Sequence, residues 1–247
     1  MNAEKKKRLL LLDSLRGISI VNMVVYHACY NYFMILGVDS HWVYYDPVRI
    51  WQRYICISFI FISGFSWSFS KNKVKRGLII SGAGMIVTIV TLLFMPNEII
   101  ILGILSFIGG AVLLMIPLKK ILDKVNAVFV FVCATILFVL FYHIADSYIG
   151  IGEFELIKIP ENIARIKIFT VIGIPHPDFY SGDYFPLLPW IFIFIAGYSF
   201  QKIISNYIFY EKLFDIRIFI FDTIGRYSLQ IYMLHQPILM LNFYLTQ

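Results

Sequence analysis

Long apolar runs alternate along the chain with short charged stretches. Seven runs reach the roughly 20 mostly apolar residues that a helix needs to cross a hydrocarbon core. They cover residues 14–36, 50–70, 77–95, 99–118, 127–147, 184–203 and 225–246. Most lack the polar face that a surface helix of a soluble protein carries. The pattern predicts an all-α polytopic transmembrane helix bundle of about seven spans, organised as a single domain over residues 1–247. Two stretches depart from simple spans. Residues 149–182 read as a long external loop, and its apolar piece Ile168–Ile174, too short to cross, is expected to be interfacial or re-entrant. Residues 204–222 are rich in Phe and Ile but carry Glu211, Lys212, Asp215 and Arg217, so they read as a cytoplasmic interfacial helix.

Composition strengthens this picture. Apolar residues make up 60% of the 247 and charged residues 15%, with a mean hydropathy of +0.78. Soluble domains sit near ~45–50% and ~25%. The net charge of +6 would suggest nucleic acid in a soluble protein, but membrane topology explains it better. With the N-terminus in the cytoplasm, sixteen of the 21 Lys and Arg lie inside: Lys5, Lys6, Lys7, Arg8, Arg16, Lys71, Lys73, Lys75, Arg76, Lys119, Lys120, Lys124, Lys202, Lys212, Arg217 and Arg226. Arg49, Arg53, Lys158, Arg165 and Lys167 fall outside or in the outer half of the membrane. A multi-pass protein of the cell membrane, with no nucleic-acid partner, is the expectation. The basic start followed by an apolar run resembles a signal peptide, but no A-x-A-like cleavage site interrupts the run, so an uncleaved first helix is expected. Cys29, Cys56 and Cys133 fall inside apolar runs and read as small core residues.

Ionisable groups inside spans are the candidate chemistry, because they are costly there and usually face a cavity or partner. Asp13, Arg16 and His27 lie close to one face of the first helix. Arg16 would sit near the cytoplasmic headgroups and His27 ~16 Å further along the axis. A neutral imidazole there can accept a proton from a hydroxyl or amine, as acyl transfer requires. Structurally, Asp13 could instead cap the helix and pair with Arg16. His235 lies near the middle of the last span, two residues before Pro237. The proline would free the carbonyl around Met233, which a nearby polar group could satisfy. Asp183 is placed to cap the sixth span, whose first turn carries Pro186 and Pro189, and Trp190 to anchor it at the interface. His41 and His176 sit in loops. The five histidines are dispersed and show no familiar ligand spacing, so no metal is expected. Gly82, Gly84, Gly109 and Gly110 lie inside spans, where small residues let helices pack closely.

Leu12-Asp13-Ser14-Leu15-Arg16-Gly17-Ile18, Asp183 through Trp190, and Gly225 through Pro237 together resemble the heparan-alpha-glucosaminide N-acetyltransferase catalytic-domain family in its small bacterial form. The opening motif is also similar to that of integral-membrane acyltransferases of envelope sugars, which carry an Arg, ten residues and a His on the first helix, as Arg16 and His27 do here. The resemblance implies acetyl transfer across the membrane, from cytoplasmic acetyl-CoA as cosubstrate to an amine or hydroxyl of an external sugar. It implies His27 as general base or acetyl carrier, and His235 orienting it or sharing that role. Asp13, Arg16 and Arg226 would bind CoA, and Asp183 and Trp190 would bind the acceptor. Membrane lipid, a glycan or glycolipid acceptor and, in a homo-oligomer, further copies of the chain are the implied partners.

Departures from the family pattern leave alternatives. The lysosomal member has a catalytic His in the loop after its first helix, where His41 lies here. Many bacterial members carry a His after the Gly-Ile-Leu of the fourth span, where this chain has Ser106. A polar-solute transporter built on the same buried groups, or a catalytically degenerate member of the family, are the rival readings.

Overall fold

The computed structural model describes residues 10–207 and 214–245. The basic residues Lys5 to Arg8, and Glu211 and Lys212 of the expected interfacial helix, lie outside the described residues. Seven long helices form where the apolar runs predict them. These are α1 (Leu10–Tyr30, extended by a π-helical turn over Asn31–Ile35), α2 (Asp46–Phe65), α3 (Lys73–Phe94), α4 (Ile104–Leu122), α5 (Ala127–Phe141), α8 (Leu187–Ile204) and α10 (Ser228–Leu245). Short helices α6 (Glu161–Ala164), α7 (Phe169–Ile172) and α9 (Phe221–Arg226) fill the connections.

Among the described residues five helices are long and apolar enough to cross a membrane: those over Leu10–Ile35, Lys73–Phe94, Ile104–Leu122, Ala127–Asp146 and Leu187–Ile204. Helices α2 and α10, of 20 and 18 residues, have the length but not the apolarity. Asp46, Arg49, Gln52 and Arg53 dilute α2, and Gln230, His235, Gln236 and Asn242 dilute α10.

One connection holds more structure than expected, and the expectation for another is corrected. Residues 149–182 are not a plain loop. Strands β1 (Tyr148–Ile151) and β2 (Phe154–Lys158) pair antiparallel around Gly152, whose φ of +56° suits glycine. Ile168–Ile174 holds only the one-turn helix α7, with Thr170 buried. Of the expected helix over residues 204–222, the described part is not continuous. The chain runs irregularly through Ile216 to Ile220, where φ reaches +74°, before α9 begins.

The chain divides into two compact units, Met1–Ile62 with Ser205–Gln247, and Ser63–Ile204. In the second, α3 packs on α4 and α5 on α8. Small residues set the α3–α4 approach reciprocally. A Cβ added at Gly84 would lie 2.6 Å from the Ser106 backbone nitrogen, and one at Gly109 2.5 Å from that of Ser81. Ser106 is therefore a packing residue of this crossing. The core of this unit centres on Trp67, whose indole N–H donates to the Val112 carbonyl at 2.9 Å.

In the first unit α9 lies directly against α1. A Cβ at Gly17 would lie 1.9 Å from the Phe221 carbonyl oxygen, and one at Gly225 1.8 Å from that of Asp13. Ser14 Oγ accepts the Ile218 N–H at 3.2 Å and extends the same contact. Gly17→Ala and Gly225→Ala are expected to destabilise the protein by about 1–3 kcal/mol, because backbone must move to admit the methyl. Gly82→Ala and Gly110→Ala, where nothing lies within 4 Å of the new Cβ, are expected to be neutral or stabilising by up to about 1 kcal/mol through helix propensity. Denaturant titration of the four variants in detergent checks this.

Candidate active site

Helix α1 carries a polar stripe at helical spacing: Asp13, Arg16, His27 and then Asn31, one turn beyond His27. At its start Arg16 Nη1 bonds Asp13 Oδ1 at 2.9 Å, so Asp13 is an ion-pair partner within the first turn. Beside them α9 places Asp222, whose side chain is fully buried. One carboxylate oxygen, Oδ2, accepts from Arg217 Nε at 2.9 Å and from Arg226 Nη2 at 2.8 Å. Burial works against the charge on Asp222, but the two guanidinium groups outweigh it and hold its carboxyl below the usual range. Arg16 thus pairs with Asp13, and Arg217 and Arg226 with Asp222, which gathers three guanidinium groups at this end of the unit.

Helix α10 then runs alongside α1 in the same direction. Gly225, just before it, meets Asp13, and further along His235 meets His27 and Gln236 meets Asn31. The two imidazole rings lie 4.9 Å apart, centre to centre, tilted by 49°. His235 Nδ1 lies 2.5 Å from the Tyr232 carbonyl oxygen. A carbonyl only accepts, so Nδ1 carries the proton. In the neutral ring Nε2 then holds the free lone pair. The carbonyl engaged is that of Tyr232, one residue before the Met233 carbonyl expected to be freed by Pro237.

Gln236 Nε2 donates to Asn31 Oδ1 at 3.0 Å. Asn31 is 1% exposed and His235 9%. Among the described residues, the buried side-chain atoms left without a partner are Asn31 Nδ2, His235 Nε2 and Gln236 Oε1. All three belong to this one patch between α1 and α10. An aromatic cluster lies beside His27. Tyr26 meets His27 edge-on at 5.7 Å and packs on Trp42 and Trp51, each at 5.4 Å. Trp51 Nε1 donates to Asn22 Oδ1 at 3.0 Å.

His27, His235, Arg16, Asp13 and Arg226 therefore share one unit. His41 is exposed, with its ring 3.5 Å from Ser40 Oγ and its backbone N–H on Asp39. It is the neighbouring Trp42 that turns inward. Sequence reasoning missed Asn31, Gln236 and Asp222. Each had a faint signal: Asn31 follows His27 by four residues, Gln236 adjoins His235, and Asp222 precedes Arg226 by four. Among the described residues no group of three or more His, Cys, Asp and Glu could hold a metal ion.

Asp183 and Trp190 belong to the second unit. Trp190 packs on Phe185 at 4.8 Å and Phe138 at 5.6 Å. Asp183 does not cap α8 as expected. Its Oδ2 accepts the Ile104 N–H at 3.3 Å and so caps α4, across the chain. Ser181, Gly182 and Phe185 bond the 99–102 backbone alongside it, which makes this a junction of two loops. Burial pushes the Asp183 carboxyl up to about 6, against the Ile104 hydrogen bond, which favours the charged form. A carboxyl raised in the folded state adds stability below its ordinary value of 3.8 and loses it as pH climbs through about 6. The unfolding temperature in detergent is therefore expected to fall between pH 4 and pH 6, a window taken from that shift. Asp183→Asn keeps an oxygen for Ile104 and is expected to flatten the fall; thermal scans of both proteins across that window check this.

Comparison with curated proteins and with solved structures finds no match. The family model described as heparan-alpha-glucosaminide N-acetyltransferase, catalytic, matches residues 8–237, which include the arginine cluster and the histidine pair. The chain belongs to the heparan-alpha-glucosaminide N-acetyltransferase catalytic-domain family, a family of transmembrane N-acetyltransferases.

Proposed function

We propose that this protein moves an acetyl group from cytoplasmic acetyl-CoA to an amine or hydroxyl of an extracytoplasmic sugar or glycolipid at the cell membrane. The observation that carries this reading is His235: its Nδ1 is committed to the Tyr232 carbonyl, and its Nε2 is buried beside His27 with no protein partner. That is the arrangement of a general base with a fixed tautomer. It moves the base from His27, which the Arg16 spacing favours, to His235, with His27 packed against its ring.

Arg16, Arg217 and Arg226 bring guanidinium groups of the kind that bind CoA phosphates. From Arg16 to His27 is ~16 Å along the helix, a span that suits a long, thin thioester arm. The acceptor nitrogen or oxygen attacks the thioester carbonyl as His235 Nε2 takes its proton. The new N–C or O–C bond forms, the C–S bond breaks, and the departing thiolate takes the proton from the imidazolium. Asp183 and Trp190 serve as scaffold in this reading. The positive-inside distribution of Lys and Arg supports the direction, with the N-terminus in the cytoplasm.

The test is transfer of labelled acetyl from acetyl-CoA to an amino sugar by purified protein in nanodiscs. His235→Ala is expected to lower kcat by ~100- to 10,000-fold, the usual worth of a positioned base. Arg226→Ala is expected to raise KM for acetyl-CoA. Full activity in a His27→Ala, His235→Ala double variant would overturn the assignment. Saturable solute uptake into proteoliposomes without acetyl-CoA would favour a transporter instead.

A further inference from the structure

Removing an amide from water without a partner costs free energy, so buried amides are normally satisfied. Asn31 and Gln236 satisfy each other only once and leave one N–H group and one carbonyl unused. This inventory does not depend on how the two amides are oriented. Interchanging oxygen and nitrogen in both side chains keeps their mutual bond and again leaves one donor and one acceptor. Beside them His235 Nε2 is a second acceptor. One helical turn of α1 and two consecutive residues of α10 thus present a donor and two acceptors in one buried patch.

We propose that the Asn31–Gln236 amide pair is part of the acetyl-transfer site and serves an amine acceptor: its free carbonyl receives one hydrogen of the acceptor's amine while the other points to His235 Nε2, and its free N–H donates to the thioester carbonyl oxygen. This rests on the acetyl-transfer reading above. The acceptor brings hydrogens and no negative charge. Two hydrogen-bond acceptors, Nε2 and the amide carbonyl, meet it in a patch buried from solvent. As the acceptor attacks, negative charge collects on the thioester oxygen. An amide N–H already held in place by the partner amide stabilises it without reorganising. No bond forms or breaks at either amide. A π-helical turn, a distortion that recurs at functional sites, begins at Asn31.

The experiment uses the full-length protein in nanodiscs, with acetyl-CoA and glucosamine as probes. Gln236→Met and Asn31→Leu are compared with wild type in kcat, in KM for each substrate, and in glucosamine binding by calorimetry without acetyl-CoA. One variant is expected to weaken glucosamine binding and raise its KM roughly tenfold, the worth of a lost hydrogen bond, with KM for acetyl-CoA unchanged. The other is expected to lower kcat ~100-fold, as loss of an oxyanion donor does. Unchanged kcat, KM and binding in both variants, whatever their thermal stability, would overturn the proposal, as would wild type that binds no glucosamine. If wild type transfers no acetyl but binds glucosamine in a manner that depends on these amides, the transfer reading fails and the acceptor contact stands. If either variant does not fold, Gln236→Asn and Asn31→Gln retain an amide while moving it by one methylene. They are expected to shift the same constants, and unchanged constants in them overturn the proposal equally.

Discussion

Everything in the first unit depends on the backbone contact between α1 and α9. Glycine on both sides lets two main chains approach to a distance that no side chain allows. Because α9 is short and leads straight into α10, its seat on Gly17 fixes where α10 starts and which way it runs. The consequence appears ten residues later, where His235 arrives beside His27 and Gln236 beside Asn31. Asp222 secures the same joint electrostatically. Its carboxylate is buried, and it stays charged because two arginines share one of its oxygens. The same arginines are the groups proposed to meet the cosubstrate's phosphates. Architecture and chemistry are thus coupled at a single crossing.

The polar content of α2 and α10 follows from the same logic. A helix that hosts a histidine, two glutamines and an asparagine cannot be as apolar as one that only meets lipid. The shortfall in apolarity in α10 marks the helix that carries His235. By contrast α3 and α5 expose apolar side chains along much of their length and have no such burden. The joints of the second unit are local: a reciprocal glycine–serine crossing between α3 and α4, and a loop junction pinned by Asp183 and Ser181.

Much of this was legible along the chain. Span positions follow from uninterrupted apolar runs, which need no tertiary knowledge, and each expected span formed a helix. The ion pair of Asp13 and Arg16 and the shared face with His27 follow from helical periodicity, which is local. The hairpin at Tyr148–Lys158 was missed because its two short strands lie in a stretch read only for membrane-crossing length. The break at Ile216–Ile220 was missed because a positive φ at a β-branched residue has no local signature.

What the sequence determined by itself is what short-range physics controls: membrane character, helix positions, the polar stripe of α1 and the family. What only the tertiary structure decided is which groups meet. Asp183 was placed by its nearest helix and in fact caps α4, about eighty residues away, because the unpaired N–H groups of a helix start bond any acceptor that folding brings to them. Asn31 and Gln236 are ordinary amides in the sequence. They become part of the site only because the crossing at Gly17 and Gly225 sets α10 against α1 in one register, and nothing in the local sequence of either helix encodes that register.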